Sequence, residues 1–146
     1  MANQIPQPDA ALHNTSHLMQ YHDLIESIVA AMDARDAYTA KHSDRVADMV
    51  LVLATALDLS EDETTLLHMA AHLHDIGNIA VPDSVLRKAG PLTNPEWEEM
   101  RRHPVTGYEI LRNVDDFKEI AVLVRHHHER WDGRGYPDGL RGADIP

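Results

Sequence analysis

The sequence predicts an all-α domain, and three observations carry that expectation. Apolar residues recur three and four positions apart along several stretches. No stretch sustains the two-residue alternation of a strand, and Ser60 with Glu63 forms a capping box ahead of an apolar run. At 146 residues the chain fits one domain, long enough to bury a real core.

Composition narrows the chemistry. Hydrophobic residues make up 43% and charged ones 25%, ordinary proportions for a globular protein. There are no cysteines, which excludes disulfides, thiolate metal sites and a cysteine nucleophile. Any metal would sit on histidine and carboxylate, a donor set suited to zinc, manganese or iron. A formal net charge of −11 argues against binding a DNA or RNA polymer. It leaves room for a small anionic substrate, because bound divalent cations reverse the sign locally. No basic-then-apolar leader marks a signal peptide, and the apolar run Met49 to Leu57 is too short to span a bilayer. A cytoplasmic chain with no membrane partner is expected.

Taken in order, residues 1–19 hold Pro6, Pro8 and several small polar residues, and read as a loose leader ahead of a domain from residue 20. His13 and His17 fall in it and are expected in solvent. From Tyr21 to Arg35, Leu24, Ile25, Ile28, Val29 and Met32 form a helical stripe. A second helix, opening near Asp36 and running to about Leu57, carries Val46, Met49, Val50, Leu53 and Leu57 on one face, with His42 one turn before Val46. The helix behind Ser60 has Leu66, Leu67, Ala70 and Leu73 as its stripe. His74 continues that stripe, Asp75 follows it, and Gly77 breaks the helix. His68 and His72 are spaced to share a metal but fall off the stripe, so they read as surface histidines.

Val81 to Leu86 reads as a turn into a short helix that Asp83 or Ser84 can cap, ended by Gly90-Pro91. Thr93 to Arg102 suggests another helix. His103-Pro104 punctuates a bend, where His103 either points inward as a ligand or merely precedes a proline. The last strong helix opens at Asp115 or Asp116. On its stripe of Ile120, Leu123 and Val124, His127 and His128 face inward while His126 points elsewhere. Two adjacent inward imidazoles are hard to satisfy by hydrogen bonds alone, so a metal is the economical partner. Trp131 to Leu140, with three glycines and a proline, reads as a lid or wall beside them. No Gly-x-Ser-x-Gly elbow or phosphate-cradling Walker loop is present.

These pieces, in their order, resemble the HD-GYP branch of the HD-domain phosphohydrolases. The matches are Asp36 through Val46, His74-Asp75-Ile76-Gly77, Val81-Pro82-Asp83 and His103-Pro104 with Gly107. His127-His128-Glu129 and Asp132-Gly133-x-Gly135-Tyr136-Pro137 complete the set. The resemblance implies a helical bundle around divalent metals, iron or manganese first, with zinc, magnesium and nickel as alternatives. It implies hydrolysis of cyclic di-GMP to pGpG or GMP through a metal-bridging hydroxide. His42 and His74 would serve the first metal. Asp75 would bridge to the second, held also by His103, His127 and His128, and His74 and Asp75 would carry the catalytic role. Arg45, Asn78, Gly135, Tyr136 and Pro137 would meet the substrate.

The chain departs from the pattern at three points. Asn78 stands where the family usually has a phosphate-binding lysine. Tyr38 replaces the glutamate of three-metal members, so two metals are expected. The family's next helix, with an aspartate ligand and basic residues, lies beyond Pro146, so an exposed apolar face is expected to invite a homodimer or a signalling-domain partner. The alternatives to the phosphodiesterase are a catalytically degenerate HD-GYP regulatory module and an HD hydrolase of another phosphate ester.

Overall fold

The computed structural model describes residues 15–35 and 41–146. Within them the chain is helical, with no strand: α1 His22–Arg35, α2 His42–Ala56, α3 Glu61–Leu73, α4 Asp83–Leu86, α5 Asn94–Met100, α6 His103–Leu111 and α7 Lys118–His126. Short 3-10 turns at Thr15–Tyr21, Ile76–Ala80, Asp115–Phe117 and Gly142–Asp144 join or flank them. None of the described helices is long and apolar enough to cross a membrane. The expected helix start at Asp36, Tyr38 and His13 lie outside the described residues, as does the side chain of His17.

Helix α3 is the centre, packed on α1, α2 and α7, while α6 lies against α7 and the Ile76–Ala80 turn. Its start is fixed locally. Ser60 Oγ accepts from Glu63 N, and the Glu63 carboxylate accepts from Ser60 N at 2.9 Å, which satisfies two of the helix's open amides. Met69 and Leu73 are fully buried and join Ile25, Val29, Ile120 and Val124 in one core. Each such side chain stabilises the fold by about 2 kcal/mol through area removed from water.

Three expectations need correction. The apolar stripe of α2 is not its buried face: Met49, Leu53 and Leu57 are exposed, while Ser43, Ala47 and Ala54 are buried. α2 meets α3 through small residues, and that close approach leaves the larger ones outside. The end of the expected leader joins the domain: a 3-10 turn spans Thr15–Tyr21, and Leu18 is buried in the core. Asp83 does not cap α4. It pairs instead with Arg35, whose guanidinium also donates to the Asn78 and Val81 carbonyls, clamping the end of α1 to the turn after α3.

The loop after α7 is folded back on that helix. Asp138 takes two hydrogen bonds from Arg125 and lies 2.9 Å from His126 Nε2, and Glu129 Oε1 accepts from the amides of Asp138 and Gly139. Gly135 sits so close that a Cβ there would lie 2.4 Å from the Glu129 Cα. On the opposite side of α7, Ile120 is wholly buried in the helical core. Replacing Ile120 with Ala is expected to lower unfolding stability by about 3 kcal/mol, read from urea midpoints.

Candidate metal centre

Five histidines and one aspartate meet in a cleft of about 1120 Å³ between α2, the end of α3, α4, α5, α6 and the end of α7. Its lining includes His42, His74, Asp75, His103, His127 and His128. His74 is the residue on which α3 ends, and Asp75 opens the turn that follows. His103 is the first residue of α6 and is 3% exposed, so the bend at His103-Pro104 does aim the ring inward.

What places Asp75 beside His103 is Gly77. A Cβ on Gly77 would stand 1.8 Å from the His103 carbonyl oxygen, so only glycine lets the two backbones touch. Gly107 allows a similar approach further along α6, where a Cβ would stand 2.8 Å from the Val124 side chain.

The imidazoles are set alike. Nδ1 of His74 lies 2.7 Å from the Ala71 carbonyl, that of His103 2.8 Å from Met100, and that of His127 2.7 Å from Val124. A carbonyl can only accept, so each Nδ1 carries a proton; on the neutral rings of His103 and His127 Nε2 then presents a lone pair, while His74 Nε2 faces the Asp75 carboxylate. The Nε2 atoms of His103 and His127 are 3.2 Å apart. Asp75 reaches both ways, with Oδ2 at 3.2 Å from His74 Nε2 and Oδ1 at 3.4 Å from His103 Nε2.

Two donor groups result. His42, His74 and Asp75 offer ligand atoms within 4.8 Å of one another, as do His103, His127 and His128. Facing lone pairs on His103 and His127 repel, and a cation is what such a set accommodates.

Electrostatics agrees. Burial holds the His127 ring down to about 3 and His128 down to about 4, neighbouring imidazoles adding to the effect, and burial also lowers His103. These rings are therefore neutral, the form that ligates. Burial disfavours charge on His74 and Asp75 too, but their mutual hydrogen bond outweighs it, raising the ring and holding the carboxyl well below the usual carboxylate range.

Other expected residues fare differently. Asn78 lines the cleft with its Oδ1 buried and unpaired. Tyr136 lines it too, stacked on His128 at 4.6 Å. Gly135 and Pro137 are not in the lining. Gly135 instead lets the loop close on the end of α7. Arg45 is exposed on α2 and does not line the cleft. Arg87, Lys88 and Trp97 do, and the sequence reading missed them. Only the basic pair after α4 hinted at them, and nothing local shows which way that short helix turns.

His72 also departs from expectation. It is buried rather than on the surface, facing His22 of α1.

An all-helical fold around two groups of potential metal ligands is what the chain presents, and comparison with known proteins places it in a family. The HD-domain family matches residues 22–146. The chain is 44% identical over 126 residues to the cyclic di-GMP phosphodiesterase response regulator RpfG of Xanthomonas campestris, covering 85% of this chain and 33% of that protein. It is 42% identical over 129 residues to the 3'3'-cGAMP-specific phosphodiesterase 2 of Vibrio cholerae, covering 85% of this chain and 24% of that protein. A cyclic di-GMP phosphodiesterase of Thermotoga maritima is 39% identical over 126 residues, covering 85% and 34%. The chain belongs to the HD-domain family, in its HD-GYP branch. It spans a quarter to a third of the length of these relatives.

Two outcomes follow. Gly77→Ala should cost about 3 kcal/mol of stability and empty the centre of metal, whereas Gly90→Ala, with open space around it, should do neither. Melting curves and metal analysis read both. In chelator, the stability of the metal-free chain should fall as pH drops from the unfolded histidine value of about 6.5 toward the folded values of about 4 and about 3. The unfolded chain binds protons that the buried rings refuse. Urea midpoints at pH 7 and 5 measure this, and the decline should be smaller in His127→Gln.

Proposed function

We propose that the chain is a phosphodiesterase domain that opens cyclic di-GMP to pGpG or GMP. The observation that carries this reading is the sharing of Asp75 between the two donor groups, one carboxylate oxygen toward each. His42 and His74 would hold one divalent ion, and His103, His127 and His128 the other, with Asp75 common to both and iron or manganese as the pair. Bound there, such ions acidify water and draw charge off phosphoryl oxygens.

The chain's own residues supply the rest. Among the described residues no serine, threonine or cysteine lines the cleft, which supports water as the source of the attacking oxygen. Arg87 puts positive charge at the rim of a strongly acidic chain, where a phosphodiester would be drawn in, while Lys88 beside it is paired with Glu96. Trp97, 45% exposed, offers a face on which a guanine can stack. Arg101 lies over both Trp97 and Tyr136, at 5.7 and 5.5 Å from the ring centroids, and keeps that wall cationic. Tyr136, stacked on His128, holds that ring in place for its ligand role.

A second reading, a module that binds the nucleotide without turning it over, draws on Asn78. It is uncharged where the family usually has a lysine, so it gives a phosphate no ion pair.

One experiment addresses both readings. The chain loaded with manganese or iron is incubated with cyclic di-GMP, and separately with 3'3'-cGAMP, and the linear products are separated by chromatography. Turnover of cyclic di-GMP that vanishes in Asp75→Ala, and rises about tenfold in Asn78→Lys (about 1.4 kcal/mol of added transition-state binding), supports the enzyme. Tight binding without products in any metal form supports the module. Turnover confined to 3'3'-cGAMP would move the substrate and leave the chemistry in place.

A further inference from the structure

A second group of histidines lies outside the cleft. His22 opens α1, and His68 and His72 stand one turn apart on α3. One ring nitrogen of each lies within 4.8 Å of those of the other two. The His68 and His72 rings meet edge-on at 4.7 Å between centroids, and His22 is 5.8 Å and 5.6 Å from them.

The group is poorly satisfied by the protein itself. His72 is 6% exposed, and its Nδ1 is buried with no hydrogen-bond partner. An Asp44 oxygen 3.7 Å away is beyond hydrogen-bond reach. No hydrogen bond joins the three rings among the described residues. His68 Nδ1 lies 3.4 Å from the Ala47 carbonyl, which fixes its proton there and leaves the lone pair on Nε2. A carbonyl-anchored ring beside a buried unpaired one is the arrangement that metal-ligating histidines adopt.

We propose that His22, His68 and His72 form a separate site for a divalent ion of the kind that favours imidazole, zinc foremost. Two carboxylates stand ready as the fourth ligand: Asp44, near His72, and Glu26, whose Oε1 is 3.8 Å from His22 Nδ1. Ring nitrogens on a tetrahedral zinc stand about 3.3 Å apart, and half-buried His22 and His68 are free to draw in to that spacing. None of the three rings lines the cleft. The ion therefore acts mechanically, tying the start of α1 to α3 and, through Asp44, to α2.

The test uses the full chain and zinc alone. Equilibrium dialysis should find about one zinc fewer per chain in His22→Gln/His68→Gln than in the parent. Asp75→Ala/His127→Ala, with the cleft disabled, should keep about one zinc and melt at a higher temperature with zinc than in chelator. Adding the His22 and His68 substitutions to that chain should abolish the rise. Equal zinc in the parent and His22→Gln/His68→Gln would overturn the proposal. So would a zinc-insensitive melt of the cleft-disabled chain, or zinc uptake only as the chain dimerises. A folding defect in the histidine variants is bypassed by long-range proton–nitrogen spectra of Asp75→Ala/His127→Ala. The three rings should shift together at about one equivalent of zinc, and signals that stay put would refute the site.

Discussion

The centre depends on a repeated bond: an imidazole Nδ1 donating to the carbonyl three residues before it. His74, His103 and His127 each make it. Each bond is local, closed within one helical turn. Its effect is to hold Nδ1 outward and so to turn Nε2 of His74 and His103 toward Asp75 and Nε2 of His127 toward His103. The helices need only bring the turns together. Gly77 against the His103 carbonyl, and Gly107 against Val124, remove the side chains that would keep them apart.

Around that constraint the rest of the fold is support. The buried face of α3 anchors α1 and α7. Arg35 clamps the turn carrying Asp75 by holding two of its carbonyls and Asp83 at once. At the other end, Asp138 and Glu129 pull the terminal loop onto α7, so that Tyr136 lies flat on His128. These polar ties are few, but each fixes a segment that bears a ligand.

Much of this is legible in the sequence, and the features that are not share a cause. His74, His127 and His128 can be placed because each extends an apolar stripe whose period is set within its own helix. The Ser60 box is legible for the same local reason. The face of α2 misleads because its large residues dominate the pattern. A close helix contact selects small ones, and Ser43, Ala47 and Ala54 carry no hydrophobic signal of their own. His72 reads as a surface residue because its partner, His22, lies fifty residues away on another helix. Arg87, Lys88 and Trp97 reach the cleft only through the path of α4 and α5, which no local pattern dictates. His103 stays open between two readings until Gly77 supplies its neighbour.

The small-residue seam of α2 has a consequence for how the two donor groups are supported. α2 is held against α3 through Ser43, Ala47 and Ala54, with Met49, Leu53 and Leu57 in water. His42 travels with it. His103 opens α6 and His127 and His128 follow directly on α7, where Ile120, Ala121 and Val124 are all buried. The two ligand groups therefore rest on different supports: His42 on a helix seated through small side chains, and His103, His127 and His128 beside buried apolar residues of α7.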